Sequence, residues 1–210
     1  MAHLLHVCRR AALALGVILV LMCVAVPVSA HGRYVLPANQ QVGGYSLTDM
    51  ARKTALFNTS DHSASLYPSI PAQMLYASTT NTFVVGDHTR FYVPLVYADD
   101  SPPVVGTFPT SHQRALHYFF DRKQLGGQHY AITVDGHTTP IGRDYLAGPV
   151  TTPPLLDGGG RHYVVLAAFL APLHEGRHTI RISGELSGKL VIDLNGEPFK
   201  TDITYTIIVR

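Results

Sequence analysis

The sequence predicts a mainly β fold: an antiparallel β-sandwich, Ig-like or related, with one or two short helices in its connections. Three observations carry that expectation. Beyond residue 75, apolar and polar side chains alternate in short runs separated by Gly, Pro, Asn and Asp, the pattern of half-buried strands. Asp135-Gly136 falls between two such runs, and a two-residue hairpin wants positive φ at both central positions, which Asp and Gly tolerate. The intervals between runs are too short for the crossover helices that a parallel sheet needs.

The first thirty residues have a different character. Arg9 and Arg10 close a mildly basic start, an apolar run fills residues 11–26, and Pro27-Val28-Ser29-Ala30 follows. Val28 and Ala30 stand at the small-residue places of an export-signal cleavage site, which makes His31 the first mature residue. The run is short for a membrane span, which takes about 20 apolar residues, and no second long apolar stretch follows. The expectation is a cleaved signal at 1–30, a single sandwich domain at 31–210, no membrane span after cleavage, and a secreted or periplasmic location.

Residues 31–210 carry 14 basic and 14 acidic side chains, ten histidines and no cysteine. A chain with balanced charge is a poor nucleic-acid binder, since neutralising phosphates takes a clustered excess of Lys and Arg. The lack of cysteine excludes a disulfide-stapled scaffold and thiol catalysis.

The elements follow in order. Thr48 is placed to cap a short helix ending at Phe57, with Met50, Ala51, Ala55 and Leu56 on one side. Residues 81–85 read as a strand, Gly86-Asp87 as a turn, and 90–97 as the returning strand with Phe91, Val93, Leu95 and Tyr97 on one face. Ser111 or Thr110 caps a second helix, where Leu116, Phe119 and Phe120 form a core-facing stripe before Gly126-Gly127. Residues 130–134 lead into the Asp135-Gly136 hairpin, and 162–170 form a nearly continuous apolar strand. Residues 177–183 alternate, 189–194 read as a strand turning at Asn195-Gly196, and 199–209 close the chain. The Pro- and Gly-rich stretches 99–109 and 148–160 read as long surface loops, where function tends to sit. Within them, Asp99-Asp100-Ser101 matches no calcium-loop spacing, and Asp157-Gly158-Gly159-Gly160 is flexible by composition.

Phe169-Leu170-Ala171-Pro172-Leu173, then Gly176-Arg177-His178-Thr179-Ile180-Arg181-Ile182, then residues 202–209 resemble a group of secreted bacterial β-sandwich proteins to which no activity is assigned. That resemblance implies fold and export only.

A histidine at a new N-terminus offers a metal its α-amine and its Nδ1 together. One further imidazole completes a T-shaped set of three nitrogens, which suits Cu(II). His31-Gly32-Arg33-Tyr34-Val35-Leu36-Pro37 resembles the start of bacterial lytic polysaccharide monooxygenases and, more distantly, of periplasmic copper carriers. Either resemblance implies copper at His31. The chain departs from the monooxygenases in having no tryptophan and, after residue 30, no cysteine. His112 is the first choice for the second imidazole and His117 the second. Five residues apart on a helix they point about 140° from one another, so they meet one ion only if His112 lies in the cap. His178 reads as structural at the start of a strand. No nucleophile elbow, zinc-protease helix or phosphate-binding glycine loop occurs.

Two functions follow. One is a non-catalytic binding module that engages a protein or glycan through its long loops. The other is a copper protein using His31, a carrier or an oxidative polysaccharide-active enzyme. N-terminal sequencing of the exported protein is expected to read His-Gly-Arg-Tyr. A Cu(II) titration by calorimetry no tighter than that of His31→Ala would remove copper from consideration.

Overall fold

A computed structural model of the chain describes residues 34–60 and 62–210; the signal segment and His31 lie outside these. In order, the elements are α1 (Leu47–Asn58), β1 (Gln73–Met74), β2 (Thr82–Val85), β3 (Phe91–Asp99), α2 (His112–Phe120), β4 (Gly127–Val134) and β5 (His137–Pro140). They continue with β6 (Leu146–Thr151), β7 (His162–Leu170), β8 (Gly176–Leu186), α3 (Lys189–Asn195) and β9 (Phe199–Val209). Two sheets result, ordered β1-β3-β7-β6 and β2-β9-β8-β4-β5. The fold is therefore mainly β, a sandwich with short helices. Most pairs are antiparallel, while β1 joins β3 and β2 joins β9 in parallel.

The apolar continuity of β7 explains the layering. Val164, Leu166, Ala168 and Leu170 face the second sheet, while Tyr163, Val165, Ala167 and Phe169 face the opposite way. A strand so composed needs cover on both faces. The outer cover is α1, which buries Leu47, Met50, Ala51, Ala55 and Phe57. The second sheet is half-buried instead: in β8, His178, Ile180 and Ile182 point inward, and Arg177, Thr179 and Arg181 point to water.

The helix α1 starts two residues earlier than the sequence suggested. Ser46, not Thr48, is the cap, and its hydroxyl and the Asp49 carboxylate form a reciprocal capping box. Ser111 caps α2, and its apolar stripe packs on the core as expected.

Several expectations are corrected. Gly86-Asp87 does not close a hairpin: β2 pairs with β9, whereas β3 pairs with β7 in the other sheet. Tyr97 leaves the face shared by Phe91, Val93 and Leu95, because a bulge between Pro94 and Val96 reverses the alternation. Residues 189–194 form α3 rather than a strand, ended by Gly196 at φ 79°, the left-handed terminator that glycine favours. The loop expected at 148–160 starts later, since residues through Thr151 belong to β6. One glycine contact is obligatory here: a Cβ on Gly188 would overlap the Gln124 carbonyl, so the start of α3 can cross the α2–β4 connection only at glycine.

Leu166→Ala, between the sheets, is expected to cost roughly 2–5 kcal/mol in urea unfolding. Ser46→Ala should cost about 1 kcal/mol. Equal costs would contradict the packing described.

Candidate functional site: a cleft between two open strand edges

The two parallel partners are much shorter than the strands they cover. β1 reaches β3 only at Phe91 and Tyr92, and β2 reaches β9 only from Thr206 to Val209. The remaining lengths, residues 94–99 of β3 and 199–205 of β9, are strand edges. Both line one cleft of about 740 Å³. Its floor is core: Leu95, Ile182 and Tyr205 are buried inter-sheet residues, with Ile203 packed against them.

To the cleft lining, α1 and the chain after it supply Asn58, His62 and Tyr76. The rings of Phe57, His62 and Tyr76 lie 5.0–5.2 Å apart in a mutual cluster. The Asn58 amide donates to the Tyr163 hydroxyl at 2.7 Å, and the Tyr97 hydroxyl donates to the Asn58 carbonyl at 3.3 Å. The end of α1 is therefore tied to β3 and β7 by polar groups rather than left loose.

Beside it stand the two loops that composition marked as surface segments, joined to it where the Leu156 amide donates to Thr59 Oγ1 at 3.4 Å. Asp99 and Asp157 both line the cleft there. Ser101 links them: its backbone amide donates to Asp99 Oδ1 at 2.7 Å and its hydroxyl donates to Asp157 Oδ1 at 2.8 Å. Next door, Asp100 Oδ1 accepts the amides of Arg161 and His162 at 2.6 and 2.7 Å, and its Oδ2 lies 2.7 Å from His162 Nδ1. The Asp157 turn, expected to be flexible, is thus held from across the chain.

These carboxyls differ electrostatically. Burial pushes Asp99 above the ordinary carboxylate range; Ser101 pulls it part of the way back, and Asp157 raises it further. For Asp100, burial opposes ionisation, but the His162 ring and the two amides outweigh it and hold the carboxyl low. Burial and the Asp99 charge push the Tyr118 hydroxyl up to about 12, so it serves as a proton donor, to the Val105 carbonyl at 2.8 Å.

Of the histidines singled out for metal, His31 lies outside the described residues, and His112 and His117 have partners of their own. His112 Nδ1 lies 2.9 Å from the Gly148 carbonyl oxygen, and His117 Nδ1 lies 3.6 Å from Asp121 one turn on. Among the described residues no group of three or more His, Cys, Asp or Glu side chains is placed to hold a metal ion. His178 is structural: its Nδ1 meets Asp135 at 2.6 Å and its Nε2 faces the His174 carbonyl at 2.8 Å. Among the described residues no helix is long and apolar enough to cross a membrane.

Sequence reasoning missed Tyr76, Tyr97 and Asp157 as parts of one site. The Asp99-Asp100-Ser101 run was the visible signal, and its partners lie some 56–62 positions away.

Asp99→Asn tests the electrostatics. The folded carboxyl keeps its proton to higher pH than the unfolded one. Its stabilising contribution is complete below the unfolded value, about 3.9, and is lost as pH rises through the raised folded value. The melting temperature of Asp99→Asn relative to the unsubstituted protein should therefore rise between about pH 4 and about pH 7. A flat or falling difference would refute the assignment.

No protein-family model matches the chain, and no curated protein matches it. Among solved structures, the solution structure of Amebosin aligns with 67% of this chain and 100% of its own at 11% identity, with a TM-score of 0.27; a likeness that slight carries no argument.

Proposed function

We propose that this chain is an exported binding module whose ligand seats in the inter-sheet cleft. The cleft carries the reading. It has the size of a ligand site, mostly apolar walls and a few polar groups gathered at one end. The loops at 99–109 and 152–161 supply that polar end, as expected of loops that carry function. Their hydrogen bonds hold the end in place before any ligand arrives, which lowers the entropy cost of binding. Export is supported by the signal-like residues 1–30. Three polar features, the Asp99–Ser101–Asp157 link, Asn58 and His62, would orient what enters.

The test uses N-phenyl-1-naphthylamine, a neutral apolar fluorophore. Saturable binding with one site per chain is expected, weakened about tenfold or more (1.4 kcal/mol) by Ile203→Arg in the floor. Val84→Arg, on the exposed β2, should leave binding unchanged. Absence of saturable binding, or equal binding by Ile203→Arg, would overturn the reading.

A further inference from the structure

The free edge of β9 identifies an occupant. Thr206 donates its amide to the Asn81 carbonyl at 2.9 Å, and Arg210 donates to Val85 at 3.0 Å. Even-numbered residues of β9 therefore turn their N–H and C=O groups toward β2. The register between β8 and β9 runs unbroken from Gly176↔Val209 to Leu186↔Phe199, so the parity holds along the whole strand. β2 begins only at Thr82, opposite Thr206. Beyond it, the amides and carbonyls of Lys200, Asp202 and Thr204 face outward with no backbone partner among the described residues. They recur about every 6.8 Å, the two-residue repeat of a strand, and another extended backbone is what matches that spacing.

The opposite edge is unsuited to pairing. Pro94 stands in β3 where an outward amide would be, and the bulge beside it breaks the repeat. Facing inward from β9, Ile203 and Tyr205 present an apolar wall to alternate side chains of an incoming strand. Charge supplies the remaining constraint. The cleft is lined by Asp99, Asp157 and Asp202 against Lys200, and Arg181 already pairs with Asp202 through two contacts of 2.7 and 2.8 Å.

We propose that the cleft takes an extended polypeptide segment that pairs with the Lys200–Asp202–Thr204 edge, buries alternate apolar side chains against Ile203 and Tyr205, and sets a Lys or Arg side chain at Asp99 and Asp157. This rests on the cleft-binding reading and names the ligand class for it. The incoming segment continues the row that β2 begins and completes the second sheet's edge.

The test pans a phage-displayed library of linear dodecapeptides on the exported protein and resynthesises the selected peptides. They should alternate apolar and polar residues and carry Lys or Arg. Binding should slow hydrogen exchange at the amides of Lys200, Asp202 and Thr204 at least tenfold. N-methylation along the peptide should cost tenfold or more at every second position and little between. Thr204→Pro removes one outward donor while sparing the β8 ladder and should weaken binding about tenfold. The N-methyl scan needs no protein variant, so it stands if Thr204→Pro fails to fold. Protection elsewhere, or an N-methyl scan without the two-residue period, overturns the strand. If no cleft-binding peptide emerges while the naphthylamine still saturates, the peptide inference fails alone; if the naphthylamine fails too, the cleft reading falls with it.

Discussion

Burial of β7 on both faces is the constraint on which the rest depends. Tyr163, Val165, Ala167 and Phe169 look away from the second sheet, and leaving them in water would forfeit roughly 1.5–3 kcal/mol for each large side chain. The amphipathic face of α1 supplies the cover, and its start is fixed by the Ser46–Asp49 box. The consequences reach the cleft. The last residue of α1, Asn58, is held by the Tyr163 hydroxyl, which sets the end of that helix in the cleft lining. The first residue of β7, His162, binds Asp100, which sets the loops beside it. Two adjacent residues at the start of β7 therefore anchor the end of α1 and the loops beside it.

The second sheet meets a different demand, since only its inner face is covered. Its register is pinned by a polar knot rather than by a helix. Asp135, at φ 47° in the tight turn after β4, accepts the Thr179 amide at 2.8 Å and pairs with the buried His178 at 2.6 Å. Removing Asp135 would leave the buried His178 Nδ1 unmatched, which costs more than the pair contributes. The chain arrives at β8 by crossing from β7 in the other sheet, so a fixed landing point is needed there. The knot supplies it.

The sequence revealed where strands lie better than which sheet they join. Residues 162–170 and 199–209 were legible to their ends, because alternation and apolar runs are local properties. Asp135-Gly136 was legible because its backbone conformation is imposed by two adjacent residues. Gly86-Asp87 misled because a turn signal fixes a reversal and says nothing of whether the returning strand stays in the same sheet. Residues 189–194 misled because Lys-Leu-Val-Ile-Asp-Leu suits either period over so short a span, and Gly188 and Gly196 decided for helix. Ser46 was a missed capping box with Asp rather than Glu at its third position. The site was the least legible part. Asp99, Asp157, Asn58 and Ile203 meet only after two sheets have packed, and no spacing in the sequence encodes that.

An unpaired strand edge is ordinarily a hazard, because any other edge can add to it. The two edges here are managed differently. β3 carries its own block in Pro94 and the adjoining bulge. β9 keeps a regular ladder of free donors and acceptors, but that ladder lies along a recess lined also by Pro103 and Val105 of one loop and Leu194 of α3. A second sheet arriving edge-on brings its own neighbouring strands and faces, roughly 10 Å thick with side chains, and those loops stand in its way. A single extended segment brings nothing beside itself and can lie along the same ladder. The short length of β2 therefore has a physical meaning: four covering residues leave the regular part of β9 open, and the surrounding loops restrict that opening to one strand.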